Sequence, residues 1–249
     1  MLLAIHGFTE IDLSWTEVLN DLNMPVQGYV LPGHGYKPCP SETNHQRIAE
    51  IIHKRFEDQG PIDLLGYSMG GRVALQFALQ YPDMVRRLIL ISCRPGIADE
   101  HERATRAASD EGLAMMLEEN GIGQFVAWWE NNPALRPAKP FSRSMTELIR
   151  SRRLNQDAFG LAASLRALGQ GVSPSLWDRL PELNMPCLAI AGSADPRYVN
   201  DMGEMVKAMP HAKLNVIPES GHAVHRECRD TVVNVIRGFL ANKNSNTPT

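Results

Sequence analysis

Gly66-Tyr67-Ser68-Met69-Gly70-Gly71 decides the fold of this chain because of what stands on either side of it. The apolar run Ile62 to Leu65 before it predicts a buried strand, and Arg72 to Leu79 after it has apolar residues near helical spacing. A serine on such a sharp turn needs glycine neighbours, since side chains there would collide. The pattern predicts a nucleophile elbow that exposes Ser68 Oγ beside the backbone N–H of Met69. The alternative interpretation is a glycine-rich turn with a capping serine.

Short apolar runs alternate with helical segments along the rest of the chain, which predicts a mostly parallel, doubly wound α/β sheet. The predicted strands are Leu2 to Ile5, Val26 to Leu31, Ile62 to Gly66, Leu88 to Ser92, Cys187 to Ala191 and Leu214 to Ile217. The predicted helices are Trp15 to Leu22, Gln46 to Phe56, Arg72 to Leu79, Tyr198 to Met209 and Thr231 to Leu240.

The alternation breaks once, between Ser92 and Pro186, where helical stretches and arginines replace strands. We therefore predict a core of residues 1–96 and 181–242 with a helical lid inserted at 97–180. Ligands of such sheets bind beyond the carboxyl ends of the strands, so the lid should cover the site. The polar tail 243–249 is predicted to be disordered.

Composition limits the classes of partner. The chain has 249 residues, 43% of them hydrophobic, which suits one core, and its net charge of −3 argues against nucleic acid or acidic membranes as partners. Four single cysteines lack the spacing of zinc or redox motifs, and the N-terminal apolar run is too short for a signal peptide or membrane span. A cytoplasmic monomer or weak homo-oligomer is expected.

The partners of Ser68 follow in the order acid, then histidine, each in a loop after a later strand. Asp195 follows the strand that ends at Ala191, and His222 follows the strand that ends at Ile217. These positions predict a Ser68, Asp195, His222 triad at one sheet edge, and hence the α/β-hydrolase fold. Taken singly, Asp195 could be a turn residue and His222 a structural histidine.

Phe8 and Met69 are the expected oxyanion donors, through their backbone N–H groups. Phe8 follows the first strand in His6-Gly7-Phe8, where His6 should pack or orient the loop. His225 suggests a metal pair with His222, but no third ligand has a suitable spacing, so no metal is predicted. Pro32-Gly33-His34-Gly35 is a further loop at this edge, which we interpret as turn chemistry.

Arginine usage points to an anionic ligand. The chain has 19 Arg and 6 Lys, and nine of the arginines lie between Ile97 and Leu180. The planar guanidinium suits bidentate binding of carboxylates. Arg72 lies in the first turn of the elbow helix, where the helix dipole disfavours a cation and a nearby anion would offset that cost. The alternative is an arginine that points to solvent or pairs with a lid carboxylate.

Several motifs together resemble the 2-succinyl-6-hydroxy-2,4-cyclohexadiene-1-carboxylate synthase family of the menaquinone pathway, from His6 to about Leu240. They are the elbow through Arg72, Pro95-Gly96-Ile97, Glu102-Arg103-Ala104-Thr105-Arg106, Phe125-Val126-Ala127-Trp128-Trp129 and Ser220-Gly221-His222-Ala223-Val224-His225-Arg226-Glu227. Members of this fold usually begin with extra strands, so either the sheet is trimmed here or the start is misplaced.

The resemblance implies substrate-binding roles as well as the triad. Tyr67 and Trp129 would line the pocket, while Arg72, Arg106 and Arg153 would hold carboxylates. Trp128 is an alternative to Trp129. Arg150 and Arg152 are alternatives to Arg153.

The implied enzyme is a carbon–oxygen lyase. It would eliminate pyruvate from 2-succinyl-5-enolpyruvyl-6-hydroxy-3-cyclohexene-1-carboxylate, a tricarboxylate, by triad-assisted proton abstraction and without a cofactor. The first alternative is a carboxylic ester or thioester hydrolase that acts through an acyl-serine. The second is a non-catalytic binding protein, which would have no need to keep the triad and the oxyanion loop together.

Overall fold

The computed structural model describes residues 1–11 and 13–242, and its centre is a parallel sheet of six strands in the order β2-β1-β3-β4-β5-β6. The strands are β1 Leu2–Ile5, β2 Val26–Tyr29, β3 Ile62–Tyr67, β4 Val85–Ile91, β5 Cys187–Gly192 and β6 Ala212–Ile217. All five strand pairs are parallel. The predicted strands and the α/β-hydrolase fold class are confirmed.

Helices cover both faces of the sheet. They are α1 Leu13–Leu19, α2 His45–Phe56, α3 Met69–Gln80, α4 Glu100–Asn131, α5 Arg143–Leu154, α6 Ala158–Leu168, α7 Pro196–Ala208, α8 Val224–Glu227 and α9 Arg229–Ala241. Successive strand residues point to opposite faces. Leu3 and Ile5 therefore pack in the core with α2, α3 and α7, whereas Leu2 and Ala4 pack in the core with α1 and α9.

The segment between β4 and β5 holds α4, α5 and α6. It has a small core of its own that includes Leu117, Phe125 and Leu161. Within α4 the backbone leaves helical geometry at Gly121, where φ is 73°. A residue without a side chain adopts this φ readily, so the two halves of α4 can take different directions over the sheet. The predicted disordered tail lies outside the described residues.

A buried ion pair joins β3 to β4. Asp63 is fully buried in β3, and Arg87 donates from Nε to its Oδ1 at 2.7 Å while Arg86 binds its other oxygen. Burial opposes ionisation of Asp63, but hydrogen bonds from both arginines lower the net pKa of its carboxyl below the usual value. Both guanidinium groups keep some contact with solvent, with side-chain exposures of 37% and 14%.

We expect Asp63→Asn to lower the free energy of unfolding by about 2 to 3 kcal/mol, because it leaves two cations without their counter-ion. A lowered carboxylate pKa stabilises the fold above the unfolded-state pKa of about 4, and that contribution disappears as the pH falls through the folded-state pKa. Urea unfolding at pH 7 and pH 3 should show the difference from wild type shrinking at the lower pH. Glu50→Gln, which breaks the exposed Arg47–Glu50 pair, is the control and should change little. An equal loss at both pH values would contradict this account.

Candidate active site

Ser68 occupies a strained turn between β3 and α3. Its φ of 50° and ψ of −110° lie in a region that residues with side chains seldom adopt. Tight packing holds the turn: a Cβ at Gly70 would lie 2.4 Å from the carbonyl oxygen of Ile5, and one at Gly66 would lie 2.5 Å from that of Gly70. The N–H groups of Gly71 and Arg72 donate to the carbonyl of Ser68, whereas the N–H of Met69, the first residue of α3, has no acceptor within the helix.

Parallel strands bring the three predicted triad residues to one edge of the sheet. His222 Nδ1 lies 2.9 Å from Asp195 Oδ2, and His222 Nε2 lies 3.1 Å from Ser68 Oγ. A carboxylate only accepts hydrogen bonds, so Nδ1 carries the ring proton and Nε2 of the neutral ring accepts from the serine hydroxyl. The arrangement can take a proton from Ser68, or through it from a ligand.

Two buried histidines hold the loop that carries Phe8. His6 Nε2 accepts from Leu31 N–H at 3.0 Å and its Nδ1–H donates to Gly7 O at 2.8 Å. His34 Nε2 accepts from Thr9 N–H at 3.3 Å, and burial lowers the pKa of His34 well below its usual value. Both rings act as neutral supports beside the predicted oxyanion donor, so the loop with His34 does more than form a turn.

A cavity of about 780 Å³ lies between the strand ends and the helices inserted after β4. The predicted site residues Phe8, Tyr67, Ser68, Met69, Arg72, Arg106, Trp129, Arg153, Asp195 and His222 all line it. Among its described lining residues the arginines are Arg72, Arg106, Arg136, Arg153, Arg197 and Arg226, and the carboxylates are Glu10, Glu130 and Asp195. Arg106 and Arg197 also pair with Asp110 and Glu102 outside the lining, so the positive charge that favours an anionic ligand is concentrated at Arg72.

Arg72 is the most deeply buried cation of the cavity, with 4% exposure. Its Nε donates to Ser173 Oγ and its Nη2 donates to Leu168 O, both at 2.9 Å. Neither acceptor carries a charge. Burial lowers the pKa of Arg72 to about 10, which leaves it protonated at neutral pH. A buried charge held only by neutral groups is costly, so an anion in the cavity would stabilise it.

Arg106 connects to His222 through Gln170 and Tyr198, which no sequence motif marks. Its Nη1 donates to Gln170 Oε1 at 2.9 Å, and Gln170 Nε2 donates to the Tyr198 hydroxyl at 2.6 Å. The ring of Tyr198 lies 4.6 Å from that of His222. Arg106 also pairs with Asp110. Gln170 has no motif around it, so only the fold reveals this chain of contacts.

The alternatives that the sequence left open differ in their positions relative to the cavity. Arg153 lines the cavity and lies 3.7 Å from Glu130, whereas Arg150, which also pairs with Glu130, and Arg152, which pairs with Glu17, do not line it. Trp128 and Trp129 both line the cavity, but Trp129 also packs edge-on against Phe8 at 5.4 Å between ring centres. Burial lowers the pKa of Arg153, and Glu10 opposes this shift.

Residues after His222 form a buried polar cluster under the cavity. His225 lies 4.3 Å from the Tyr67 ring, and Arg226 pairs with Glu10 at 2.9 Å. Burial opposes ionisation of Glu10, yet Arg226 and His225 together lower its pKa to about 2. The sequence showed His225 and Arg226 as part of a motif, but Glu10 gave no indication of this role.

Within residues 1–11 and 13–242, no group of three or more His, Cys, Asp or Glu side chains could hold a metal ion. Cys93 and Cys187 are buried, and burial raises the pKa of the Cys93 thiol to about 12. No helix in these ranges has the length and apolar character needed to cross a membrane.

Comparison with known proteins gives matches over nearly the whole chain. The model of the alpha/beta hydrolase family matches residues 2–235. The putative 2-succinyl-6-hydroxy-2,4-cyclohexadiene-1-carboxylate synthase of Bacillus subtilis (strain 168) is 35% identical over 253 residues, which is 96% of this chain and 89% of that protein.

Two solved structures are similar in both fold and sequence. MenH from S. aureus has a TM-score of 0.91 and 34% identity, covering 96% of this chain and 92% of that one. A thermophilic esterase from Thermogutta terrifontis, solved with malate bound, has a TM-score of 0.81 and 26% identity, covering 96% and 88%.

We expect a serine-directed phosphonate to label Ser68, because His222 can accept the proton of its hydroxyl. His222→Ala should slow labelling at least about a hundredfold, the usual contribution of a positioned base. Mass spectrometry of the labelled protein locates the adduct. Ser109→Ala, which removes another serine of the cavity wall, is the control and should label normally. Labelling of Ser68 at the wild-type rate in the His222→Ala variant would contradict the assignment of His222 as the base.

Proposed function

The chain belongs to the alpha/beta hydrolase family and, within it, to the 2-succinyl-6-hydroxy-2,4-cyclohexadiene-1-carboxylate synthases, and from that premise we propose the reaction it catalyses. It eliminates pyruvate from 2-succinyl-5-enolpyruvyl-6-hydroxy-3-cyclohexene-1-carboxylate in menaquinone biosynthesis. The product is 2-succinyl-6-hydroxy-2,4-cyclohexadiene-1-carboxylate. The substrate is a small tricarboxylate.

The excess of arginines over carboxylates in one cavity with the triad is the observation that carries this proposal. Arg72, Arg106 and Arg153 match the three carboxylates of the substrate in number. Arg72 contributes most, because its charge is buried and its hydrogen bonds go to neutral acceptors. An esterase for neutral acyl chains would gain nothing from burying such a cation. Binding energy from these pairs can align the reacting carbon with Ser68.

The proposed first step is removal of a proton from the carbon next to the succinyl ketone. Ser68 Oγ takes that proton as it passes its own to His222 Nε2, and Asp195 stabilises the imidazolium that forms. The geometry supports this path, since the 3.1 Å and 2.9 Å contacts continue from Ser68 through His222 to Asp195. No bond forms between carbon and Ser68 Oγ.

Negative charge then develops on the ketone oxygen, and the N–H groups of Phe8 and Met69 stabilise it. The electrons return to form a double bond between ring carbons 2 and 3, the existing double bond shifts from carbons 3 and 4 to carbons 4 and 5, and the bond between carbon 5 and the enolpyruvyl oxygen breaks. That bonding pair leaves with the oxygen as the enolate of pyruvate. A proton added to the enolate carbon gives pyruvate, and the abstracted proton held by His222 balances it.

One observation favours a second candidate function. The same contacts between Ser68, His222 and Asp195 would serve an acyl-serine mechanism, and the esterase from Thermogutta terrifontis has this fold at 26% identity. This candidate is a carboxylic ester or thioester hydrolase. The two functions differ in whether a covalent adduct forms and whether a carbon–hydrogen bond breaks.

Arg72→Ala, Arg106→Ala and Arg153→Ala should each lower kcat/KM for the cyclohexene substrate, since each leaves a substrate carboxylate unpaired. The expected loss of transition-state stabilisation is about 2 to 5 kcal/mol. Lysine at these positions should rescue little, because a point charge cannot replace a planar fork. Coupled detection of pyruvate gives the rates. Arg166→Ala is the matched control: Arg166 pairs with Glu111 and Glu118 and does not line the cavity. Normal kinetics for Arg72→Ala would remove the anion-binding argument.

Rapid mixing with the cyclohexene substrate should release pyruvate without a covalent adduct or a burst of a first product. Deuterium at the abstracted position should slow the reaction where proton removal limits the rate. Ser68→Ala and His222→Ala should each lose at least about a thousandfold in turnover. Simple aryl esters should react poorly, because they offer no carboxylates to the arginines. Efficient ester cleavage together with no pyruvate would favour the hydrolase instead.

A further inference from the structure

A segment without helix or strand crosses the cavity between α4 and α5. We call residues 136–141 the strap. Arg136, Pro137, Pro140 and Phe141 of the strap line the cavity. Proline has no backbone N–H, so between Pro137 and Pro140 only two amides can donate hydrogen bonds. A segment of this composition needs a partner outside itself to keep one position.

Glu227, at the end of α8, supplies that partner. Its Oε2 accepts from the backbone N–H of Ala138 in the strap at 2.7 Å and from the backbone N–H of Gly221 at 2.9 Å. Gly221 is the residue before His222 in the chain. One carboxylate oxygen therefore joins the cover of the cavity to the loop that carries the proposed base. Hydrogen bonds to a charged acceptor are stronger than those between neutral groups.

Packing at Gly221 adds to this contact. A Cβ built on Gly221 would lie 3.2 Å from the carbonyl oxygen of Arg136 and 3.2 Å from Glu227 Oε1. The strap thus lies directly on the backbone beside His222. A second link, the ion pair of Lys139 with Glu219, is exposed at both side chains and should contribute little.

We propose that Glu227 is a positioning residue that fixes the strap and the His222 loop to each other. The same carboxylate then keeps the cavity covered and His222 aligned. Glu227 does not touch the reacting atoms. Its effect on catalysis passes through Gly221 to His222 and through Ala138 to the cavity wall. The kinetic part of its test rests on the proposed lyase function, whereas the other two measurements do not.

Site-resolved hydrogen exchange tests the contact itself. In wild type the amide of Ala138 should exchange more slowly than that of Lys139, although both lie outside regular structure. Glu227→Ala and Glu227→Asp should speed exchange at Ala138 at least about tenfold. Alanine has no acceptor, and the shorter carboxylate of aspartate cannot reach both donors. Glu227→Gln keeps an acceptor oxygen and should preserve most of the protection. Glu219→Ala is the matched control on the same loop and should leave Ala138 protected.

The phosphonate reaction and steady-state kinetics test the consequence for His222. Glu227→Ala and Glu227→Asp should slow labelling of Ser68, raise KM and lower kcat, with kcat/KM falling by about tenfold or more. A purely structural role would lower the melting temperature while leaving KM and the labelling rate of the folded protein unchanged.

Three results would overturn the proposal. They are equal exchange at Ala138 and Lys139 in wild type, normal labelling in Glu227→Asp, or an effect of Glu219→Ala as large as that of Glu227→Ala. If Glu227→Ala does not fold, amide exchange in wild type and the labelling rate of Glu227→Asp test the proposal. If neither the wild type nor any variant releases pyruvate, the lyase proposal fails. Amide exchange and Ser68 labelling then still test the role of Glu227.

Discussion

The close approach of α3 to the ends of β1 and β3 is the constraint on which the rest of the site depends. Gly70 lies against the carbonyl oxygens of Ile5 and His6, so no side chain could be accommodated there. This contact forces Ser68 into positive φ and holds its hydroxyl above the sheet edge. It also brings the start of α3 beside the loop that carries Phe8. One packing contact thereby positions the Ser68 hydroxyl and both predicted oxyanion donors.

Charge in the cavity is organised in two ways. Near Arg153 the cations are compensated in the protein: Arg226 pairs with Glu10, and Arg153 lies 3.7 Å from Glu130. Arg72 instead donates its hydrogen bonds to neutral acceptors, so its buried charge has no anionic partner among them. The paired end holds its cations in place at little cost, whereas the unpaired charge of Arg72 favours a carboxylate most strongly. In the proposed function, this asymmetry orients a ligand with several carboxylates above Ser68.

The sequence predicted the sheet well because buried parallel strands are continuous apolar runs, as in β1 and β5. It placed the start of β4 at Leu88, whereas the strand begins at Val85, because Arg86 and Arg87 appear incompatible with a buried strand until Asp63 is seen beside them. Likewise α3 begins at Met69, although two glycines at its start argue locally against a helix. Tertiary contacts decide both boundaries.

The site residues also divide into those that local sequence indicates and those that only tertiary contacts reveal. The juxtaposition of Ser68, Asp195 and His222 could be predicted because their order along the chain and their positions after strands are properties of sequence. Gln170, Tyr198 and Glu10 could not, since each acts through a neighbour distant in the chain. The distinction matters for the chemistry, because an elbow, a base and two N–H donors stabilise an enolate as readily as a tetrahedral intermediate. In the proposed function, the choice between proton abstraction and acylation depends on where the arginines hold the substrate, and the positions of the arginines are set by contacts between residues distant in the chain.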